Sequence, residues 1–146
     1  MWWPRLDPNP LLNRYSMAMS LLKRWVVASL PYVFAACLAL VTYLMLIELP
    51  PSEAGWPYWD KVQHMIVFVI LTSLALLAFP KWRWQFAIGL AVYGALIEWA
   101  QAVWTITRMP SVGDWLADVV GIVASWLLCS WLLRLQRTNK AAPMVK

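Results

Sequence analysis

Charged residues, cysteine and histidine are all scarce in this chain of 146 residues. Only 13% of the residues are charged whereas 62% are hydrophobic, and the mean hydropathy of +0.61 is too high for an ordinary soluble domain. The two cysteines, Cys37 and Cys129, lie in apolar stretches without a recognisable disulfide or metal-ligand spacing, so we interpret them as packing residues. One histidine with scattered carboxylates is a poor zinc-ligand set, and we expect no metal and no cofactor; a hard cation held by carboxylates is the weaker alternative.

Four apolar stretches are each long enough to cross about 30 Å of hydrocarbon as a helix. We predict these helices over Trp25–Ile47, Trp59–Phe79, Trp84–Trp104 and Asp114–Leu133. Segments containing proline or glycine interrupt them, and the short connections predict that neighbouring helices run antiparallel. The sequence therefore predicts an all-α polytopic membrane protein, a four-transmembrane-helix bundle.

We expect three parts along the chain: a cytoplasmic or interfacial N-terminal segment (1–24), the four-helix membrane domain (25–133) and a basic cytoplasmic tail (134–146). Asn9 followed by Pro10 indicates a helix start ahead of the first span. That helix is either a separate interfacial helix or an extension of the first span, and the sequence does not distinguish the two. The first apolar run exceeds the roughly 7 to 15 residues of a signal-peptide core, so we interpret it as an uncleaved anchor.

The basic residues predict the orientation of the bundle. Although the net charge is +5, no aromatic and basic nucleic-acid motif is present, and we expect no nucleic-acid partner. Only Lys61 and Arg108 fall on one side of the predicted membrane. The other ten basic residues fall on the opposite side: Arg5, Arg14, Lys23, Arg24, Lys81, Arg83, Arg134, Arg137, Lys140 and Lys146. By the positive-inside rule, both termini are therefore cytoplasmic.

Ionisable residues gather at the predicted outer end of the bundle. His64, Glu98 and Asp118 belong to three different spans and lie at similar depths, roughly 6 to 9 Å below the outer surface. Asp60 and Asp114 lie one helical turn nearer that surface, on the faces of His64 and Asp118. An ionisable side chain in hydrocarbon costs about 2.5 to 3.5 kcal/mol, so these groups need partners or a role. We predict that they line one outward-facing pocket.

Residue chemistry assigns candidate roles in this pocket. The candidate catalytic groups are His64, Glu98 and Asp114, and the candidate ligand-binding groups are Asp60, Lys61, Gln101, Arg108 and Asp118. The second and fourth helices begin at the outer end, and their N-termini favour a phosphate head group. Structural roles remain open beside the functional ones. Asp60 and Asp114 could be N-caps, His64 a hydrogen-bonded core residue, and Glu98 a partner of Arg108 or Lys61.

Three polar blocks resemble the motifs of a known membrane-protein family. They are D-K-x-x-H-x-x-x-F at Asp60–Phe68, G-x-x-x-E-x-x-Q at Gly94–Gln101 and, after Arg108, D-x-x-x-D-x-x-G at Asp114–Gly121. In that order on a small four-helix membrane protein, the blocks resemble the VanZ-like family, which is named for a teicoplanin-resistance protein of bacteria. The resemblance covers about residues 56–130.

The resemblance implies a protein of the bacterial cytoplasmic (inner) membrane that is connected with the cell envelope. In some members the family is linked to glycopeptide susceptibility. The polar set that the family shares is Asp60, Lys61, His64, Glu98, Gln101, Arg108 and Asp114. At Asp118 the family more often has asparagine, so this chain departs from the pattern at that position.

Two functional hypotheses follow, and the residues leave open whether a reaction is catalysed. In the first, the pocket binds or modifies an envelope lipid or a lipid-linked precursor. In the second, the polar residues form a structural ion-pair network, and the bundle is a non-enzymatic accessory or assembly factor for an envelope enzyme. Small-solute transport is a weaker third hypothesis, because four helices without an evident repeat offer no path across the membrane.

Overall fold

The computed structural model describes residues 10–47, 56, 58–106 and 111–141. Its four α-helices are α1 (Pro10–Leu46), α2 (Trp59–Ala78), α3 (Arg83–Trp104) and α4 (Val112–Ala141). Each helix contains a stretch that is long and apolar enough to cross a membrane. The prediction of an all-α, four-helix integral membrane protein is confirmed.

The first and last helices are longer than predicted. α1 continues without a break from Pro10 to Leu46, so the N-terminal helix is an extension of the first span rather than a separate element. Pro10 occupies the first helical position, where its missing N–H leaves no hydrogen bond unmade. α4 continues past Leu133 to Ala141, because no glycine or proline interrupts that stretch. The predicted domain boundaries at 24/25 and 133/134 therefore fall inside helices.

α2 and α4 make the most extensive helix contact and run parallel. Lys61 bonds Asp114 at 2.8 Å near the two N-termini, and the hydroxyls of Ser73 and Ser125 bond at 2.9 Å further along both helices. Gly121 permits this approach, because a Cβ at that position would lie 2.5 Å from a backbone carbonyl oxygen of α2. A larger residue would force the two helices apart.

α1 contacts α2 and α3, and it runs parallel to α3. The hydroxyls of Thr42 and Tyr93 lie 2.8 Å apart, and the Gln101 amide donates to the Met45 carbonyl oxygen at 2.9 Å near the ends of both helices. In the described part of the chain, α1 does not approach α4. The predicted antiparallel arrangement of sequence neighbours is thus confirmed. α2 and α4 begin at the same end of the bundle at which α1 and α3 end.

The opposite end of the bundle is apolar and aromatic. Phe79 at the end of α2 stacks on Phe86 of α3, with ring centroids 4.4 Å apart, and Phe34 of α1 contacts both rings edge-on. Phe68 and Leu71, both fully buried, continue this core toward the middle of the bundle. The buried ionisable side chains lie beyond Phe68, toward the end where α2 and α4 begin.

Candidate functional site

Seven of the eight predicted site residues lie together where α2 and α4 begin. We refer to them as the polar cluster: Asp60, Lys61, His64, Glu98, Gln101, Asp114 and Asp118. The eighth, Arg108, lies outside the described residues. Counted along the helices, the deepest members of the polar cluster lie about 8 to 9 Å from the helix ends. Because the 20 residues of α2 span about 30 Å, which is the thickness of the hydrocarbon core, that depth lies within the hydrocarbon near one membrane surface.

His64 lies at the centre of the polar cluster and is only 2% exposed. Its Nδ1 lies 3.0 Å from Asp118 Oδ1, which is a hydrogen-bond distance, and 3.8 Å from Glu98 Oε1. Side chains from α2, α3 and α4 thus converge on one imidazole. In such a dry environment a proton or a cation shared among them is held far more strongly than in water.

Asp118 is fully buried, and His64 and Gly94 are its neighbours in the bundle. One carboxylate oxygen faces His64, whereas Oδ2 has no hydrogen-bond partner among the described residues. A Cβ at Gly94 would lie 2.6 Å from Asp118 Oδ2, so the absence of a side chain on α3 makes room for this carboxylate. Glycine is therefore required at position 94 of the second polar block, because a side chain there would collide with the Asp118 carboxylate.

Glu98 is buried near the end of α3 and contacts the start of α4. Its Oε2 accepts a hydrogen bond from the Ser111 backbone N–H at 2.8 Å, and its Oε1 has no hydrogen-bond partner among the described residues. The predicted pairing of Glu98 with Lys61 is wrong, because Lys61 bonds Asp114 instead. The Ser111 N–H is one of the donors left free at a helix N-terminus, and the carboxylate satisfies it. A pairing with Arg108 falls outside the described residues.

The N-cap interpretations of Asp60 and Asp114 are wrong. The Ser111 hydroxyl caps α4 by accepting from the Gly113 N–H at 3.1 Å, and Asp114 lies in the first turn, 2.8 Å from Lys61 Nζ. Asp60 likewise lies in the first turn of α2 and is exposed. The Asp114 side chain is buried and that of Lys61 is 39% exposed. The lysine of this ion pair therefore lies near the surface, and its aspartate lies in the interior.

The two remaining members of the polar cluster, Asp60 and Gln101, make contacts on opposite sides of it: Asp60 at the surface and Gln101 in the interior. Asp60 extends the cluster to the surface: its carboxylate, the His64 ring and the Asp114 carboxylate each offer one atom within 4.8 Å of the others. Gln101 is buried, but its amide donates to the Met45 carbonyl oxygen and so joins α3 to the end of α1. Gln101 therefore has a structural contact that the sequence did not predict.

The described part of the polar cluster carries an excess of negative charge. Four carboxylates face one lysine and one histidine. The N-termini of α2 and α4 each add about half a positive charge and offset only part of that excess. Chemically, the arrangement can hold a proton between carboxylates and the imidazole, bind a cation, or combine Lys61 and the helix ends to hold an anionic group.

Sequence reasoning missed Ser111, although a signal for it was present. Ser111 precedes α4, with Asp114 three residues later, which is the spacing of a capping box. Its hydroxyl caps the helix, and its backbone N–H fixes Glu98. The Met45 carbonyl oxygen that binds Gln101 had no comparable sequence signal, because any residue supplies a backbone carbonyl.

Comparisons with known proteins assign no family to the chain. No protein-family model matches it, and no solved structure matches it. The chain is 25% identical to the probable potassium transport system protein Kup of Erythrobacter litoralis (strain HTCC2594) in an alignment of 121 residues. The alignment covers 79% of this chain. That match covers 19% of Kup, so the chain spans about a fifth of the length of this relative. The resemblance to the VanZ-like family stays a prediction.

Proposed function

We propose that this four-helix integral membrane protein is a VanZ-like protein of the bacterial cell envelope, and that its polar cluster binds the phosphate-bearing head group of an envelope lipid or lipid-linked precursor. The observation that carries the proposal is the graded burial of the cluster. Exposed Asp60 and partly exposed Lys61 lead to buried His64, about 8 Å along α2 from its start. A buried polar group that only locks helices together has no need of such a route to the surface.

The proposed ligand is bound by Lys61 and by the paired N-termini of α2 and α4. Gly113 packs so closely on Lys61 that a Cβ there would lie 3.0 Å from its Cε, which places the ammonium group beside the first turn of α4. An ammonium group and the positive ends of two helix macrodipoles together favour a phosphate group. Arg108 is the further predicted phosphate ligand, and His64 with Glu98 are the predicted proton-handling groups.

We propose that the polar cluster faces the outer side of the cytoplasmic membrane and that both termini are cytoplasmic. Six described basic residues belong to the other end of the bundle, where α1 and α3 begin and α2 and α4 approach their ends: Arg14, Lys23, Arg24, Lys81, Arg83 and Arg134. The positive-inside rule supports the proposal. Fluorescence of a fluorescent protein fused to the C-terminus, compared with the activity of a periplasmic reporter fused there, tests it.

Lipid analysis of the purified protein tests the proposed site. We expect wild type to retain one enriched class of phosphate-bearing lipid, and Lys61→Gln to retain about tenfold less, because a charge-assisted hydrogen bond contributes about 1.5 to 3 kcal/mol. Lys81→Gln is the matched control, because it removes an exposed lysine at the other end of the bundle. Identical lipid profiles in all three proteins would refute the proposal.

The alternative is a structural network in an accessory or assembly factor that binds an envelope enzyme. It predicts that His64→Ala fails to fold, since the substitution would leave the buried Asp118 carboxylate without its partner. The proposed site predicts a folded variant that loses the lipid. A change in teicoplanin susceptibility on deletion or overexpression, which the family resemblance leads us to propose, tests the link to the envelope.

Potassium transport is a second candidate, favoured by the partial similarity to Kup. Because the match covers only 19% of that relative, a path across the membrane would require several copies of this chain or a partner. Growth of a potassium-uptake-deficient strain at low potassium tests this candidate. Rescue by wild type, and its loss in Glu98→Gln, would favour transport over lipid binding.

A further inference from the structure

Three buried side chains capable of binding metal meet at one point of the bundle. His64, Glu98 and Asp118 each offer one ligand atom, and the three atoms lie within 4.8 Å of one another. We infer that these residues form a binding site for a divalent first-row transition-metal cation. This site goes beyond the proposed lipid site and does not depend on it.

The distances between the ligand atoms fit a common ion. Oxygen and nitrogen ligands lie about 2.0 to 2.2 Å from such ions, so two ligands of one ion lie about 3.0 Å apart at a right angle and about 4.2 Å apart when opposite. His64 Nδ1 lies 3.0 Å from Asp118 Oδ1 and 3.8 Å from Glu98 Oε1. Both distances lie in this range, and all three ligand atoms lie within 4.8 Å of one another.

A cation accounts for atoms that hydrogen bonds leave unexplained. A hydrogen bond between His64 and Asp118 explains their 3.0 Å contact, but Asp118 Oδ2 and Glu98 Oε1 have no hydrogen-bond partner among the described residues. Both residues are buried, at 0% and 8% exposure for Asp118 and Glu98. Buried oxygens of this kind are normally satisfied.

The ligand types select the class of cation. One imidazole with two carboxylates suits Mn²⁺, Fe²⁺ or Zn²⁺, whereas Ca²⁺ and Mg²⁺ prefer oxygen ligands alone and Cu⁺ prefers sulfur. Exposed Asp60 and buried Asp114 place two more carboxylates beside His64. Asp114 is paired with Lys61, so the net negative charge beside the site comes from Asp60 and the ligand carboxylates, and this charge attracts a cation.

Manganese binding to the purified full-length protein tests the inference. After treatment with a chelator, wild type is titrated with Mn²⁺, and free Mn²⁺ is followed by electron paramagnetic resonance. We expect one bound Mn²⁺ per chain, and at least about tenfold weaker binding by Asp118→Asn, which keeps the size of the side chain but loses its charge. Ser125→Ala, a buried change further along α4, should bind as wild type does. No Mn²⁺ or Zn²⁺ uptake by wild type, or equal uptake by Asp118→Asn, overturns the inference.

A second measurement needs no variant. The chain has one histidine, so electron spin echo modulation from bound Mn²⁺ must show coupling to a single imidazole nitrogen. Bound Mn²⁺ without this coupling would place the ion elsewhere and overturn the site. Mn²⁺ binding without lipid enrichment would refute only the proposed lipid site, and lipid enrichment without metal binding would refute only the cation site.

Discussion

Replacing Gly121 by alanine tests the close approach of α2 and α4 on which the polar cluster depends. The new Cβ would lie 2.5 Å from the Met65 carbonyl oxygen and 3.2 Å from the Phe68 Cβ. Ordinary carbon to oxygen contacts are about 3.3 to 3.6 Å, so the helices must separate by about 1 Å. The obstacle is helix backbone and cannot rotate away. We therefore expect an overpacking cost near the upper part of the usual range, about 2 to 3 kcal/mol.

Gly89→Ala is the matched control for this prediction. A Cβ at Gly89 meets nothing within 4 Å, and the gain in helix propensity is the same in both variants. The difference in melting temperature then reports the overpacking alone, and about 2 to 3 kcal/mol corresponds to roughly 4 to 12 °C in a chain of this size. Intrinsic fluorescence of the twelve tryptophans measures it. Equal melting temperatures for Gly121→Ala and Gly89→Ala would refute the packing.

Other changes separate stability from binding. Gly94→Ala pushes the Asp118 carboxylate aside, so Mn²⁺ affinity should fall by about tenfold, measured by titration against Gly89→Ala; unchanged affinity would count against the site. Gln101→Ala removes a hydrogen bond to a backbone carbonyl of α1 and should cost about 1 kcal/mol in thermal unfolding; an unchanged melting temperature would count against this contact. A double-mutant cycle on Lys61 and Asp114 should give a coupling of about 0.2 to 1 kcal/mol, since Lys61 is 39% exposed; a coupling several times larger would contradict this degree of exposure.

The positions of the helices and the depth of their polar residues could be predicted from the sequence. Apolar runs fix the spans, and the constant rise of a helix places His64, Glu98 and Asp118 at one level whatever the details of packing. The lengths of α1 and α4 were underestimated, because hydropathy marks where a helix can lie in lipid and not where it stops. Helices continue into polar sequence until a helix-breaking residue occurs.

The partners of the individual site residues could not be predicted. Sequence spacing orients a side chain on its own helix but does not set the rotation of one helix against another. Arg108 and Lys61 were the structural partners considered for Glu98, whereas the start of α4 brings the Ser111 N–H to Glu98 and Asp114 to Lys61. The contact of Glu98 is made to a backbone N–H, and because every residue except proline carries one, a residue pattern does not reveal which N–H will be used.

Whether the polar cluster is a binding site or only a structural network is tested most directly by native mass spectrometry of wild type beside Lys61→Gln. Lys61 is 39% exposed, so the loss of its ion pair with Asp114 should cost little stability, and the variant should melt within a few degrees of wild type. We predict a bound lipid adduct on wild type that is absent from the folded variant. Identical adducts on both proteins, or a variant that cannot fold, would contradict the account and favour the structural network.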